Sequence, residues 1–328
     1  MRLLFLGSPP FAGPVLEALL ASSHEVCGLV TRPDRPRGRG RSVALSPLAE
    51  TARAHGVPVF QPESTRGEDA QAPLRALEPE VLVVASYGEI LREPMLRLAP
   101  HGALNVHASL LPLHRGASPI QAAILAGDEL TGVSVQRMVL ALDKGDVLHE
   151  VTTPIGAEET AGELFDRLAL LGGRAAVEAL DLLASGSAVF TPQDDALATY
   201  AGKLEKSAGR IDWSLSAEEI DRTRRAMHPW PGATTTAPDG KPLKITAARI
   251  VRDAQEQGDS AGAPSAPGTL IEIKPRCIVA CGAGALELIE LKPAGKQAMP
   301  ADAWLRGARW ELGAQLGTDP MNTTGTSA

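Results

Sequence analysis

Aromatic residues are scarce in this chain, eleven in 328 positions. A strip that binds single-stranded nucleic acid by stacking successive bases needs more rings than that. Cysteine is scarcer still. Cys27, Cys277 and Cys281 are an odd number without C-x-x-C spacing, which excludes a disulfide-built fold and a cysteine zinc site. Reduced thiols in a cytoplasmic protein are the expectation. Long apolar runs are missing as well. At the amino terminus the four-residue run LLFL is cut short by Gly7-Ser8-Pro9-Pro10, too short for a secretory signal or a membrane span. Two nucleotide signatures are also missing. The turn after that first run reads GSPPFAG rather than G-x-G-x-x-G, and no G-x-x-x-x-G-K-[ST] loop occurs, so neither a dinucleotide nor a triphosphate site is indicated. His101, His107 and His114 are six and seven residues apart. This fits neither H-E-x-x-H nor a finger, and no metal is expected.

What is present is enough apolar residue, 44%, for a sizeable core, and enough length for two domains at about 150 residues each. LLFLG (3–7), EVCGLVT (25–31), PVFQP (58–62), VLVVAS (81–86) and ALNVHAS (103–109) are short apolar runs of the kind that form parallel strands buried on both faces. Helical segments lie between them. Ser46-Pro47 and Ser118-Pro119 read as caps followed by a first-turn proline, and Gly56, Gly127 and Gly186 read as stops. Thr160 to Glu163 has capping-box spacing. The alternation predicts an α/β domain over 1–190, a Rossmann-like doubly wound sheet. Residues 191–208 turn polar and read as a linker. Over 209–313, a second capping box (Ser216 to Glu219), the Asp239-Gly240 hairpin signal and closely spaced short strands predict a small β-barrel of OB-like type. The polar, Gly/Pro-rich stretch 253–268 reads as a mobile surface loop, and 314–328 as a disordered tail.

Charge is uneven. Residues 1–202 hold 16 Lys/Arg against 24 Asp/Glu, while residues 203–313 hold 16 against 14, so an anionic partner would meet the second half. Against that acidic first half stands TRPDRPRGRGR (31–41), with five arginines and one acid in a Pro/Gly-rich loop. Such a run is as readily a solvated loop as a phosphate-binding one, although arginine makes bidentate contacts to phosphate.

Asn105 and His107 place an amide and an imidazole on one face of a buried strand. Alone, such a pair is more often a structural hydrogen-bonded one. Asp143, in the Asp-Lys-Gly turn of LALDKGDVL, supplies the acid that would complete an orienter, a proton carrier and an oxyanion donor. Tyr87-Gly88-Glu89-Ile90-Leu91 follows a strand end directly, where glycine lets backbone approach a flat ligand.

These blocks together resemble the folate-dependent formyltransferase family. LLFLGSPPFAGPVLEALL, TRPDRPRGRGR, VVASYGEIL, NVHASLLPLHRGASPIQAAILAGD, LDKGDVL, PQDDALATYAGKL, GRIDWSLSAEEI, HPWPGA and LKPAGK are similar to its successive blocks, from Met1 to about Gly313. The arginine loop, with the IDW and PWPGA blocks, is similar to the branch of the family that formylates methionyl-tRNA. The resemblance implies formyl transfer from 10-formyltetrahydrofolate to the α-amino group of initiator methionyl-tRNA, by a cytoplasmic monomer without a metal or a membrane. It implies Asn105, His107 and Asp143 as the catalytic trio, and Ser109, Leu110, Leu111 and Pro112 as the folate-site wall. Tyr87, Gly88, Ile90, Leu140 and Leu142 would hold the pterin, and Phe11 would help form the methionine pocket. Arg35, Arg37, Arg39 and Arg41 would contact tRNA, Arg39 reaching into the acceptor arm. Glu89 stands where the family commonly has Gln, Ser118 where Ala is usual, Pro10 in place of Asp and Ala141 in place of Gly. In this reading Asn105 and a protonated His107 stabilise the oxyanion, while Asp143 orients His107 and steers the proton. A formyltransferase acting on a small amine, such as glycinamide ribonucleotide or an amino sugar, would share the trio but leave the arginine loop unexplained. A catalytically inactive RNA-binding protein would have no use for the trio.

Overall fold

The Val- and Leu-rich runs pair side by side because each is apolar on both faces and must be covered on both. In the computed structural model, which describes residues 1–34, 36–37, 42–43, 46–251, 265–308 and 310–317, they form β1 (Arg2–Gly7), β2 (Glu25–Val30), β3 (Val59–Phe60), β4 (Val81–Ala85) and β5 (Ala103–His107). Two longer strands follow, β6 (Leu130–Arg137) and β7 (Val147–Pro154). The sheet order is β7-β6-β5-β4-β1-β2-β3. The ladders among the first five strands are parallel, whereas β6 runs antiparallel to both β5 and β7. Chain order reverses beside β1, so β1 and β4 border the switch point where ligands of open α/β sheets gather. There Ser8 Oγ donates to the Tyr87 carbonyl at 3.1 Å, tying the carboxyl ends of the two strands.

The helices are α1 (Ala12–Ala21), α2 (Pro47–Ala54), α3 (Glu68–Arg75), α4 (Glu93–Leu96), α5 (Pro119–Ala126) and α6 (Ala161–Ala184). Pro47 opens α2 as expected, but Ser46 makes no side-chain cap bond; its backbone N–H goes to Asp34 Oδ1 instead. Leu164, Leu168, Ala175, Ala176, Ala179 and Leu180 form the buried stripe of α6, at the spacing of one helix face.

The chain divides into two units: Met1–Ala123, Asp128–Gly156 and Glu163–Lys203 make the first, and Ile124–Gly127, Ala157–Gly162 and the chain from Leu204 make the second. The expected linker is therefore only partly one. Thr191 bridges to Val147, and Tyr200–Ala201 pairs in parallel with Arg115–Gly116. Polar residues extended along a sheet edge satisfy their backbone groups as well as a core strand does, without apolar side chains to announce them.

In the second unit the Ser216–Glu219 capping box is made in both directions and starts α7 (Ala217–Ala226). The antiparallel strands β8 (Ala233–Thr236), β9 (Pro242–Val251), β10 (Leu270–Glu272), β11 (Ile278–Ala280) and β12 (Ala285–Pro293) run in the order β8-β9-β12-β11-β10. The expected tail begins too early. Leu316 donates to the Gly268 carbonyl and Gly317 to that of Thr236, each at 2.8 Å, so residues 314–317 join the two edges and close a ring of hydrogen bonds. Leu316 is buried in the core around Trp213, Leu243 and Leu291, and Trp213 Nε1 donates to Thr235 Oγ1 at 2.9 Å. Arg35, Arg39, Arg41, the side chain of Arg37, most of the 253–268 stretch and the chain beyond 317 lie outside the described residues.

Candidate active site

Alternation along β5 turns Val106 toward α6 and puts Asn105 and His107 together on the opposite face. Across the ladder, Asn105 faces Gln136 on β6. The loop from β6 to β7 folds back over this face and brings Asp143 to it. Two backbone features allow that. Asp143 adopts φ +51°, a left-handed conformation Asp tolerates better than most residues. Gly145 passes so close to β6 that a Cβ would lie 1.6 Å from the Arg137 carbonyl oxygen.

The three side chains meet. Asp143 Oδ1 accepts from Asn105 Nδ2 at 3.4 Å and from Gln136 Nε2 at 3.0 Å. Oδ2 accepts the Gly116 backbone N–H at 2.9 Å and lies 3.8 Å from His107 Nδ1. His107 Nε2 sits 3.1 Å from the His114 carbonyl. A carbonyl only accepts, so Nε2 carries a hydrogen and Nδ1 is the atom that faces Asp143. Burial pushes the His107 pKa below the usual histidine value, against the opposing pull of the Asp143 charge and the His114 carbonyl. A neutral imidazole with its hydrogen on Nε2 has an open lone pair on Nδ1, on the side of Asp143. The 3.8 Å gap to Asp143 is too long for a hydrogen bond but short enough for a carboxylate to stabilise an imidazolium.

The loop after β5 is held from several sides. Ser109 Oγ donates to the Leu113 carbonyl at 2.6 Å, and Leu111 N–H donates to Ser134 Oγ at 2.9 Å. His114, at φ +57°, keeps its carbonyl aimed at His107 with the help of its side-chain hydrogen bond to Asp128, 2.7 Å. Leu111 and Pro112 border a cleft of about 330 Å³ with Val147–Glu150 and Thr191–Asp194. Leu110, half-buried, is not among its walls, and neither are Tyr87, Gly88, Ile90, Leu140 and Leu142. Ile90, Leu140 and Leu142 are instead exposed apolar side chains, more than 60% accessible each, on the loops after β4 and β6. Tyr87 is buried and its hydroxyl is pushed up to about 12, by burial and then by the Glu89 charge. Glu89, the departure from the usual Gln, accepts from Ser64 Oγ at 2.7 Å and Thr65 N–H at 3.1 Å, so it pins the turn that carries Gly88 and Ile90. Phe11 is buried edge-to-face against Phe165, centroids 5.5 Å apart. Among the described residues no cluster of three His, Cys, Asp or Glu side chains could hold a metal ion, and no helix is long and apolar enough to cross a membrane. Cys277 and Cys281 are buried thiols pushed up to about 12 by desolvation.

Sequence reasoning missed Gln136, Gly116, Ser134, Arg115 and Gln193. Gln136 carried the same signal as Asn105, a polar side chain inside an apolar strand, VSVQR. Ser134 lies on that same strand and carried it too. Arg115, Gly116 and Gln193 sit in the segments between the main strands, where polar residues and glycine are ordinary and carry no such signal.

The formyl transferase family model matches residues 1–180, and its C-terminal domain model matches residues 203–309. A methionyl-tRNA formyltransferase of Methylococcus capsulatus is 45% identical over 97% of this chain and all of its own length. Among solved structures, an N-formyltransferase from Helicobacter canadensis in complex with folinic acid and dTDP-3-aminofucose shares the fold. Its TM-score is 0.63 at 15% identity, over 88% of this chain and 98% of that one. HypX from Aquifex aeolicus in complex with tetrahydrofolic acid also shares it, with TM-score 0.58 at 18% identity over 93% of this chain; the chain spans about half of that protein, 47%. By both domains and by near-full-length identity, the chain belongs to the formyl transferase family, among the methionyl-tRNA formyltransferases.

Proposed function

We propose that this protein transfers the formyl group of 10-formyltetrahydrofolate to the α-amino group of initiator methionyl-tRNA, in the cytoplasm and as a monomer. The observation that carries the reading is the meeting of Asn105, His107 and Asp143 on one face of the sheet, in a chain 45% identical to a methionyl-tRNA formyltransferase over nearly its whole length. An α-amine has a pKa of about 7.7–8.0, so a useful fraction is neutral near pH 7. Its nitrogen attacks the formyl carbon, and the carbonyl oxygen becomes an oxyanion that Asn105 Nδ2 receives. Neutral His107 takes the amine's proton on Nδ1, and Asp143 stabilises the imidazolium that forms. That proton passes to N10 of the folate as the carbon–N10 bond breaks, which leaves a formamide on methionine and free tetrahydrofolate. The exposed Ile90, Leu140 and Leu142 suit the flat pterin and benzoyl rings. Ser109, Leu110, Leu111 and Pro112 wall the folate site, and Phe11 packs behind the methionine pocket. Arg35, Arg37, Arg39 and Arg41 contact the tRNA backbone, with the second unit as the further anionic-ligand surface.

The deciding experiment supplies labelled 10-formyltetrahydrofolate to the protein, with charged initiator tRNA beside glycinamide ribonucleotide and amino sugars. Label is expected on methionyl-tRNA. Transfer to a small amine alone would overturn the reading.

A further inference from the structure

Arg115 is wholly removed from solvent, yet the reaction above does not use it. A guanidinium is buried only where its donors are spent. Here Nε and Nη2 both donate to Gln193 Oε1, at 3.0 and 2.8 Å, and Nη1 donates to Asp195 Oδ1 at 2.6 Å. With its oxygen committed, the Gln193 amide can face only one way. Its Nε2 lies 2.9 Å from the Asp143 carbonyl, 2.6 Å from that of Gly145 and 3.2 Å from Gln136 Oε1. Gln136, its own oxygen turned toward Gln193, presents Nε2 to Asp143 Oδ1 at 3.0 Å. Each group thus settles the orientation of the next, and the relay ends on the carboxylate of the acid. Besides this relay the loop is held by polar contacts alone: the Gly116 N–H on Asp143 Oδ2 at 2.9 Å, the Lys144–Asp195 ion pair at 3.1 Å and the Arg137 N–H on the Asp146 carbonyl at 2.9 Å. Val139, Leu140 and Leu142 point outward, and Asp143 itself is in a left-handed conformation.

We propose that Arg115, Gln193 and Gln136 are positioning residues for Asp143, so that the polar segment after the first sheet completes the active site rather than merely leading away from it. The proposal rests on the catalytic reading of Asp143.

The test is steady-state formyl transfer with full-length protein, comparing Gln193→Glu, Gln193→Leu, Gln136→Leu and Asp143→Asn, with a melting temperature for each. Gln193→Glu keeps the acceptor for Arg115 but turns an oxygen, with no N–H to give, toward the two carbonyls. The melting temperatures separate loss of fold from loss of positioning, and Gln136→Leu tests the relay without touching Arg115. Both Gln193 variants and Gln136→Leu are expected to lose kcat by roughly tenfold or more, with KM for the folate and for tRNA within about twofold of wild type. Wild-type kcat in Gln193→Glu, or a loss confined to KM or to melting temperature, would overturn the relay. Asp143→Asn with wild-type kcat would overturn the catalytic reading as well. Loss in Asp143→Asn beside intact Gln193 and Gln136 variants would overturn the relay alone.

Discussion

Asn105→Ala isolates the oxyanion donor. A positioned donor of this kind is typically worth about 2.7–4 kcal/mol of barrier, or roughly two to three powers of ten in kcat. In the resting protein Asn105 does little: its one bond to Asp143 is long, 3.4 Å. Removing it leaves Asp143 with Gln136 at 3.0 Å and the Gly116 N–H at 2.9 Å, so the acid stays in place. The stability cost should be no more than about 1 kcal/mol, the net worth of an ordinary hydrogen bond. The variant should therefore melt near wild type, bind folate with nearly unchanged affinity and show the whole loss in kcat. Single-turnover transfer of labelled formyl, with folate affinity measured separately, gives both quantities. A kcat within about threefold of wild type would refute the oxyanion role, and so would a loss of folate affinity large enough to account for the rate.

His107 has a folded-state pKa below its ordinary value through burial, so on acidification below about pH 6.5 the unfolded chain takes up a proton that the folded one refuses. Stability contributed by this group is full above that pH and falls as pH drops toward the folded pKa. Denaturant titrations from pH 7.5 to 5 should show a shallower acid loss in His107→Gln than in wild type, by up to about 1.4 kcal/mol per pH unit in that window; equal slopes would contradict the assignment. Gly145→Ala must force its Cβ away from the Arg137 carbonyl oxygen, 1.6 Å off, so kcat should collapse through displacement of Asp143 while the second unit keeps its thermal transition. Calorimetry with activity assays checks both. Arg39→Ala should raise KM for tRNA, lessen its salt dependence and leave folate affinity alone, and an unchanged salt slope would remove Arg39 from the interface.

Much of the site was visible in the residues before any fold existed. Asn105 and His107 stand out because a buried strand has no ordinary use for them, and period-two alternation alone puts them on one face. Asp143 could be nominated as the acid of a tight turn, but only the return of the chain at Val147, paired to Gln136, brings it there. The electrostatic setting of His107 is tertiary for the same reason. A sequence shows the carboxylate that would raise its pKa, whereas the burial that outweighs it is a property of the packed protein. Leu111 and Pro112 share the expected folate block with Ser109, yet they border a cleft that excludes Ile90 and Leu140.

What the sequence determined by itself was periodicity and punctuation: apolar runs for parallel strands, the Ser216–Glu219 box, and the change to short strands with turns beyond 209. These are local, since each depends on residues within one or two turns of chain. Tertiary structure decided everything that depends on which distant backbone lies alongside. It set the closure of the second sheet by residues 314–317 and recruited 191–201 into the first unit. It also seated the buried Arg115 on Gln193, and through it the setting of Asp143. Hydrogen bonds between loops are sequence-silent, because the same polar residues satisfy themselves equally well in water until the fold removes the water.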